Sequence, residues 1–160
     1  MYKIKSLILF SSRHGTAGEC SRLLARELTV ESHLSELPLR GESLLEEYEL
    51  VVVGGSIYAG RMDKNIRSFC RDYRDQLLQK ELGLFICCLQ EEMVEKYVEE
   101  AFPPELLEHA VRGYFGSRII FEEMNFFTRI IMKLITKEKK SLSQIREEAI
   151  SEFAEKLINH

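Results

Sequence analysis

Between Leu7 and Glu19 the chain reads LILFSSRHGTAGE, an apolar run that gives way to Ser11, Ser12, Arg13, His14, Gly15 and Thr16. Hydroxyls, cations and a glycine in that order suit an oxyanion. If a helix begins near Thr16, its first backbone N–H groups are unpaired and its dipole is positive at that end. The three hydroxyls add donors, Gly15 permits a backbone that folds round a small anion, and Arg13 can pair with a phosphate. The same residues also suit a plain helix cap on Ser12 or Thr16, and the loop alone leaves both readings open. No GxGxxG follows the apolar run and no GxxxxGKS/T occurs anywhere, which turns the phosphate reading from a dinucleotide or P-loop ligand toward a mononucleotide.

Two further stretches carry the same kind of chemistry. In VVVGGSIYAG, the glycines Gly54, Gly55 and Gly60 let backbone approach a planar ring closely, and Tyr58 can lie against its face or be an ordinary half-buried loop aromatic. In ICCLQ, the adjacent Cys87 and Cys88 should point into opposite faces of a strand and fill core as small apolar groups. A redox-active pair is the sharper alternative. An acidic phosphoryl-accepting pocket is excluded, because the strand ends read FSSR and VGGS where carboxylates would be needed.

These stretches need strands to hold them. Ile4–Phe10, Leu50–Val53 and Leu82–Leu89 are compact apolar runs of the kind buried on two faces. TVESHLSEL reads as a more polar edge-side strand closed by Pro38 and Gly41, and Ala110–Phe115 as a short last one. Helical spacing recurs at Ala17, Cys20, Leu23, Leu24 and Leu28, so a helix is expected over about Thr16–Leu28. It recurs at Ile66, Phe69, Cys70, Tyr73 and Leu77, while Glu92–Glu100 is a charged, helix-prone stretch stopped by Pro103 and Pro104. The closing helix carries Ile145, Ala149, Phe153, Ala154 and Leu157, with Ser141 and Gln144 as its capping box. Strands alternating with helices imply an α/β fold, a three-layer doubly wound sheet of five parallel strands in the order 2-1-3-4-5. The crevice at the carboxyl ends of strands 1 and 3 is then where ligands bind.

At 160 residues and 45% hydrophobic, the chain supports one domain spanning 1–160. A net charge of −4 gives no basic field for nucleic acid. Four cysteines without paired CxxC spacing read as reduced thiols, and no apolar run approaches the roughly 20 residues of a membrane span, so a soluble, cytoplasmic protein is expected. His14, His33, His109 and His160 are too scattered to suggest a metal site, and none is expected.

Together the three loops resemble the flavodoxin family of FMN-binding proteins, and more closely its branch of bacterial menaquinone-dependent protoporphyrinogen oxidases. The carriers are LILFSSRHGTA, VVVGGSIYAG and NFFTRIIMKLI, the last similar to that branch's signature helix. The resemblance implies FMN as cofactor, with its phosphate on Ser11, Ser12, Arg13, His14, Gly15, Thr16 and Ala17. It implies an isoalloxazine ring lined by Ser56, Ile57, Tyr58, Ala59 and Gly60 together with Cys88, Leu89 and Gln90. Ala17 stands where the family usually has a further hydroxyl, and the third loop lacks an aromatic to stack on the ring. The activity so implied is an FMN-dependent oxidoreductase of the protoporphyrinogen dehydrogenase type, acting on a quinone or porphyrinogen-type substrate. The alternative is a one-electron carrier that docks on a redox partner protein.

A last segment, about 122–137, reads as an amphipathic helix after strand 5. Phe126, Phe127, Ile130, Ile131, Leu134 and Ile135 form one stripe and Arg129, Lys133 and Lys137 another. Such a helix packs its stripe on the sheet or on another chain, or lies in the inner face of a membrane through Phe126, Phe127, Ile130, Ile131, Lys133 and Lys137.

Overall fold

The computed structural model describes residues 3–12, 15–39, 45–119, 125–136 and 142–160. In chain order its elements are β1 (Lys5–Ser11), α1 (Thr16–Glu27), β2 (Glu31–Glu36), β3 (Leu50–Tyr58), β4 (Arg61–Met62), α2 (Lys64–Asp72), α3 (Arg74–Leu77) and β5 (Glu81–Cys87). There follow α4 (Val94–Ala101), α5 (Pro104–His109), β6 (Val111–Tyr114), β7 (Gly116–Ile119), α6 (Phe126–Thr136), β8 (Leu142–Ile145) and α7 (Glu147–Ile158). Five strands pair in parallel in the order β2-β1-β3-β5-β6, which is the doubly wound order expected from the alternation of apolar runs and helices. Strand β4 folds back antiparallel on β3, and β7 with β8 forms a separate antiparallel pair.

Strand alternation divides the core into two layers. Leu7, Leu9, Val51, Val53, Leu84 and Ile86 pack with Ile66, Phe69, Tyr97 and Leu106 from the α2–α5 side. Ile8, Val52, Phe85 and Cys87 face the other way and pack with Cys20 and Leu24 of α1 and Ile150 and Phe153 of α7. Covering both faces is what makes the central strands read as unbroken apolar runs. Each large side chain so buried contributes roughly 1.5–3 kcal/mol against the entropy of ordering the chain. In the second layer Phe85 stacks on Phe115 at 4.7 Å and Phe115 meets Phe153 edge-on at 5.2 Å.

Three boundaries differ from the sequence expectation. The third strand continues through Gly54 and Gly55 to Tyr58 instead of stopping at Val53, because the glycines make room for neighbours rather than break the strand. A Cβ on Gly54 would fall on the ring carbons of Phe85, and one on Gly55 would stand 2.9 Å from Met62 Sδ. The single helix expected over Ile66–Leu77 is two, α2 and α3, which meet at Tyr73. The capping box is not formed: Gln144 lies in β8 opposite Ser117, α7 starts at Glu147 after Arg146, and Ser141 lies outside the described residues. Strand pairing has claimed the residue that would have capped the helix.

The stripe on α6 does not pack on the sheet. Phe126, Phe127 and Leu134 are 68%, 77% and 75% exposed, while Ile130 and Ile131 are also exposed. Lys137 and residues 122–124 of the expected segment lie outside the described residues.

The contact of Gly54 with Phe85 yields a direct test. Gly54→Ala should lower stability by about 1–3 kcal/mol through overpacking, read as a lower urea midpoint at unchanged slope. An unaltered midpoint would show that the ring moves aside freely.

Candidate functional site

The strand register brings the three loops to one edge. Ser11 pairs with Gly55, Gly55 with Ile86 and Ser56 with Cys87, so the segments after β1, β3 and β5 leave the sheet side by side. Strand β2 flanks β1 on one side and β5 flanks β3 on the other, so the chain's winding reverses between β1 and β3 and leaves a crevice there.

The first loop keeps donors available. Ser11, at 7% exposure, is buried, and its hydroxyl has no hydrogen-bond partner among the described residues. Gly15 has φ 82 and ψ −7 and occupies the N-cap of α1, so the N-cap residue itself offers no side-chain acceptor. The first turn closes through Glu19 N–H to Gly15 O at 2.9 Å, and Gly18 N–H reaches Ser12 Oγ only at 3.4 Å. The earlier N–H groups of Thr16 and Ala17 donate to nothing among the described residues. A buried hydroxyl and first-turn N–H groups without partners cost stability unless an acceptor arrives, and an anion is the acceptor that the helix dipole favours. Ser12 Oγ thus caps one N–H of the first turn, and those of Thr16 and Ala17 stay open to a further acceptor.

Two predicted members of the loop stand otherwise than the sequence suggests. Thr16 is buried and its Oγ1 donates to the carbonyl oxygen of Arg118 at 3.2 Å, so its hydroxyl is already engaged. Ala17 is fully buried in the layer beneath α1 and can offer only its N–H. Arg13 and His14 lie outside the described residues. A cation from elsewhere is present: a methyl group built on Gly15 would stand 3.6 Å from Nη2 of Arg118.

The second loop is a tight hairpin. Tyr58 pairs with Arg61 across Ala59 and Gly60, whose φ values are 48 and 77. Two successive positive φ values define the turn whose twist matches that of antiparallel strands. Ala59 adopts a conformation that costs an L-residue about 1–2 kcal/mol, and such strain is held only where the surroundings fix it. Ser56, Ile57 and Tyr58 are half-buried and Ala59 and Gly60 exposed, so the hairpin projects as a wall beyond Ser11.

Hydroxyls pin the third loop. Tyr114 Oη donates to Cys88 O at 3.0 Å, Tyr97 Oη to Gln90 Oε1 at 2.9 Å, and Cys88 Sγ–H points at Gln90 O at 3.5 Å. Leu89 is half-buried and Gln90 exposed between these ties. Burial raises both tyrosine hydroxyls and pushes the Cys88 thiol up to about 11, so all three stay protonated and able to donate. Cys87 and Cys88 point into opposite layers, as strand alternation requires, and cannot bond to each other. Cys87 instead lies 3.7 Å from Cys20, and that hydrogen bond, with burial, raises its thiol as well.

Sequence reasoning did not find Arg118, Tyr97 or Tyr114. Tyr114 and Arg118 come from distant parts of the chain, Tyr97 follows Gln90 by seven residues, and none stands in a recognisable pattern with the loop it touches. A cleft of about 640 Å³ lined by Glu95, Val111, Arg112, Lys156, Asn159 and His160 lies along β6 and α7, away from the three loops. No group of three His, Cys, Asp or Glu side chains placed to hold a metal occurs among the described residues.

Comparison with known proteins agrees with this geometry. A family model described as Flavodoxin domain matches residues 7–145. No curated protein sequence matches. Among solved structures, a flavodoxin of Streptococcus pneumonia superposes with TM-score 0.59 at 16% identity, covering 97% of this chain and 98% of the other. Oxidised Flavodoxin 1 and Flavodoxin 2 of Bacillus cereus each give TM-score 0.56, at 17% and 18% identity, with coverages of 98% and 98%, and 97% and 98%. At such identities the likeness carries the fold.

Neutral, buried thiols have measurable consequences. At about pH 8 the folded protein should resist iodoacetamide at Cys88 and label there only once unfolded. The Cys88 value near 11 lies above the ordinary 9.0, so its contribution to stability is complete below about pH 9 and is lost as pH rises through 11. Urea midpoints taken across that range should fall. Rapid labelling of the native protein at Cys88 would contradict the assignment.

Proposed function

The chain belongs to the flavodoxin-domain family, and we propose that it binds FMN at the carboxyl edge of its sheet and passes single electrons between redox proteins. The observation that carries this reading is the first loop, where one strand-to-helix turn holds a buried, unpartnered Ser11 hydroxyl, a left-handed Gly15 and the unpaired N–H groups of Thr16 and Ala17. Those groups fit a terminal phosphate in type, charge and position. Bound FMN would supply the redox chemistry of its isoalloxazine ring.

The chain's own residues would bind and orient it. Ser11, Ser12 and the start of α1 hold the phosphate. The Ser56–Gly60 hairpin and the pinned backbone of Cys88–Gln90 bound the space beyond them, where a planar ring would lie between two walls. The cytoplasm is the compartment proposed with this reading. No helix among the described residues is long and apolar enough to cross a membrane.

One observation favours a second reading, quinone-linked oxidation of a porphyrinogen. The exposed apolar face of α6 gives such an enzyme a surface on which to meet an apolar acceptor dissolved in lipid. The family match and the structural neighbours favour the carrier over this branch.

Added FMN should bind the purified protein with loss of flavin fluorescence. Gly15→Val, or Ser11→Ala with Ser12→Ala, should weaken that binding by about tenfold or more while circular dichroism stays unchanged. Unaltered affinity would remove the phosphate assignment. Reduction of the loaded protein in two resolved one-electron steps, without porphyrinogen turnover, is expected of the carrier. Menaquinone-dependent oxidation of a porphyrinogen would establish the second reading instead.

A further inference from the structure

The phosphate loop is built from groups that donate hydrogen bonds, and among its described residues, 11, 12 and 15–17, none is charged. The helix N-terminus adds the equivalent of about half a positive charge, less than the charge of a phosphate dianion, and the loop's own Arg13 lies outside the described residues. We propose that Arg118, delivered from the far end of the chain by the β7–β8 pair, is a cation of this site and makes it selective for a phosphorylated flavin. The proposal rests on the FMN reading above.

The fold goes to some length to place that side chain. Beyond β6, Phe115 N–H donates to Ile86 O at 3.1 Å, so the chain is still anchored on the sheet at the carboxyl end of β5. Gly116 then turns with φ 74, and the carbonyl of Gln144 packs where a Cβ would stand, so only glycine makes this turn. The hairpin that follows is registered by Ser117 opposite Gln144 and Arg118 opposite Ser143, and Arg146 N–H closes it onto Phe115 O at 2.8 Å. Its direction carries Arg118 to the start of α1, where the Arg118 carbonyl accepts from Thr16 Oγ1 at 3.2 Å. Backbone and side chain thus meet the loop at two successive residues, the carbonyl bonded at Thr16 and the guanidinium within 3.6 Å of where a Cβ on Gly15 would stand.

Arg118 is half-buried, and no carboxylate among the described residues forms an ion pair with its guanidinium. On a chain of net charge −4 a half-buried cation without an acidic partner is an open electrostatic demand. The unpaired N–H groups of Thr16 and Ala17, in the turn this side chain approaches, are satisfied by the same kind of group, an oxyanion. Arginine meets a phosphate through two parallel N–H···O bonds, which lysine cannot reproduce.

The test compares FMN with riboflavin, which has the same ring and no phosphate, by titrating the full chain and following flavin fluorescence. Wild type should prefer FMN strongly. Arg118→Gln should weaken FMN by about 10- to 100-fold, the loss expected for hydrogen bonds to a charged group, and leave riboflavin within about twofold. Arg118→Lys should recover part of the loss, and inorganic phosphate should compete with FMN less effectively in Arg118→Gln than in wild type. Equal losses for the two flavins would make Arg118 a structural clamp on the hairpin and overturn the proposal, as would an unchanged FMN affinity. If Arg118→Gln does not fold, the FMN-to-riboflavin ratio of Arg118→Lys decides, an unchanged ratio counting against the proposal. Wild type that binds neither flavin would remove the FMN reading itself, whereas wild type that binds FMN while Arg118→Gln binds it equally would remove only the role of Arg118.

Discussion

The parallel pairing of β1 with β3 is the constraint on which the rest of this structure depends. It places Ser11 beside Gly55 and lets the chain depart to opposite sides, β2 beyond β1 and β5 beyond β3. A right-handed crossover then has to lay α1 on one face and α2 on the other. The start of α1 is therefore aimed into the crevice, and its unpaired N–H groups follow from the topology rather than from any residue chosen for them. Ser11 is buried because β1 is buried on both faces, and its hydroxyl lacks a partner because the strand ends there. The site is a by-product of winding that the loop residues then refine.

How much could be read in advance follows the same logic. The strands were legible because burial on both faces leaves apolar runs, and the opposite orientations of Cys87 and Cys88 followed from a period of two. Ser11, Ser12 and Gly15 were legible because their geometry is local to one strand-to-helix turn. The end of β3 was not, since glycines that read as a stop are spaces for Phe85 and Met62, residues known only once the sheet is paired. The capping box failed for a related reason. Gln144 has two local futures, and the pairing of 116–119 with 142–145 chooses between them across a segment that gives no sign of it. Tyr114 and Arg118 were illegible as site residues because each reaches its loop only through tertiary structure, and Tyr97, though only seven residues beyond Gln90, because nothing in the sequence marks it as that side chain's partner. The resemblance through NFFTRIIMKLI anticipated a helix, and α6 is one, but a helix with a bare apolar face is not specific to one branch of a family.

The third loop differs from the first in how its polar groups are satisfied. Around Ser11 and Gly15 the donors are left open. Around Cys88 they are closed, by Tyr114 onto the Cys88 carbonyl and by Tyr97 onto Gln90. A closed network in a partly buried setting is stiff, because breaking one bond leaves a desolvated group unpaired. Arg146 lies 4.9 Å over the Tyr114 ring and extends this network to the base of the β7–β8 hairpin. The hairpin is thus tied to the third loop at its root and to the first at Arg118, and a single element bridges both ends of the crevice.

That bridge gives the crevice a polarity. At the first loop stand the positive end of α1 and the Arg118 guanidinium. At the third stand groups held neutral by burial, Cys88, Tyr97 and Tyr114, with Glu91 and Glu92 at its rim pushing those protons further from release. An anion with an apolar ring can satisfy such a gradient in only one direction, phosphate toward α1 and ring toward the neutral wall. Reversing it would set a dianion against carboxylates and leave the Ser11 hydroxyl unpaired, two penalties that add. In the function proposed here, orientation of the flavin is therefore set by the placement of charge along the crevice, and the two loops that flank the ring need only to be rigid.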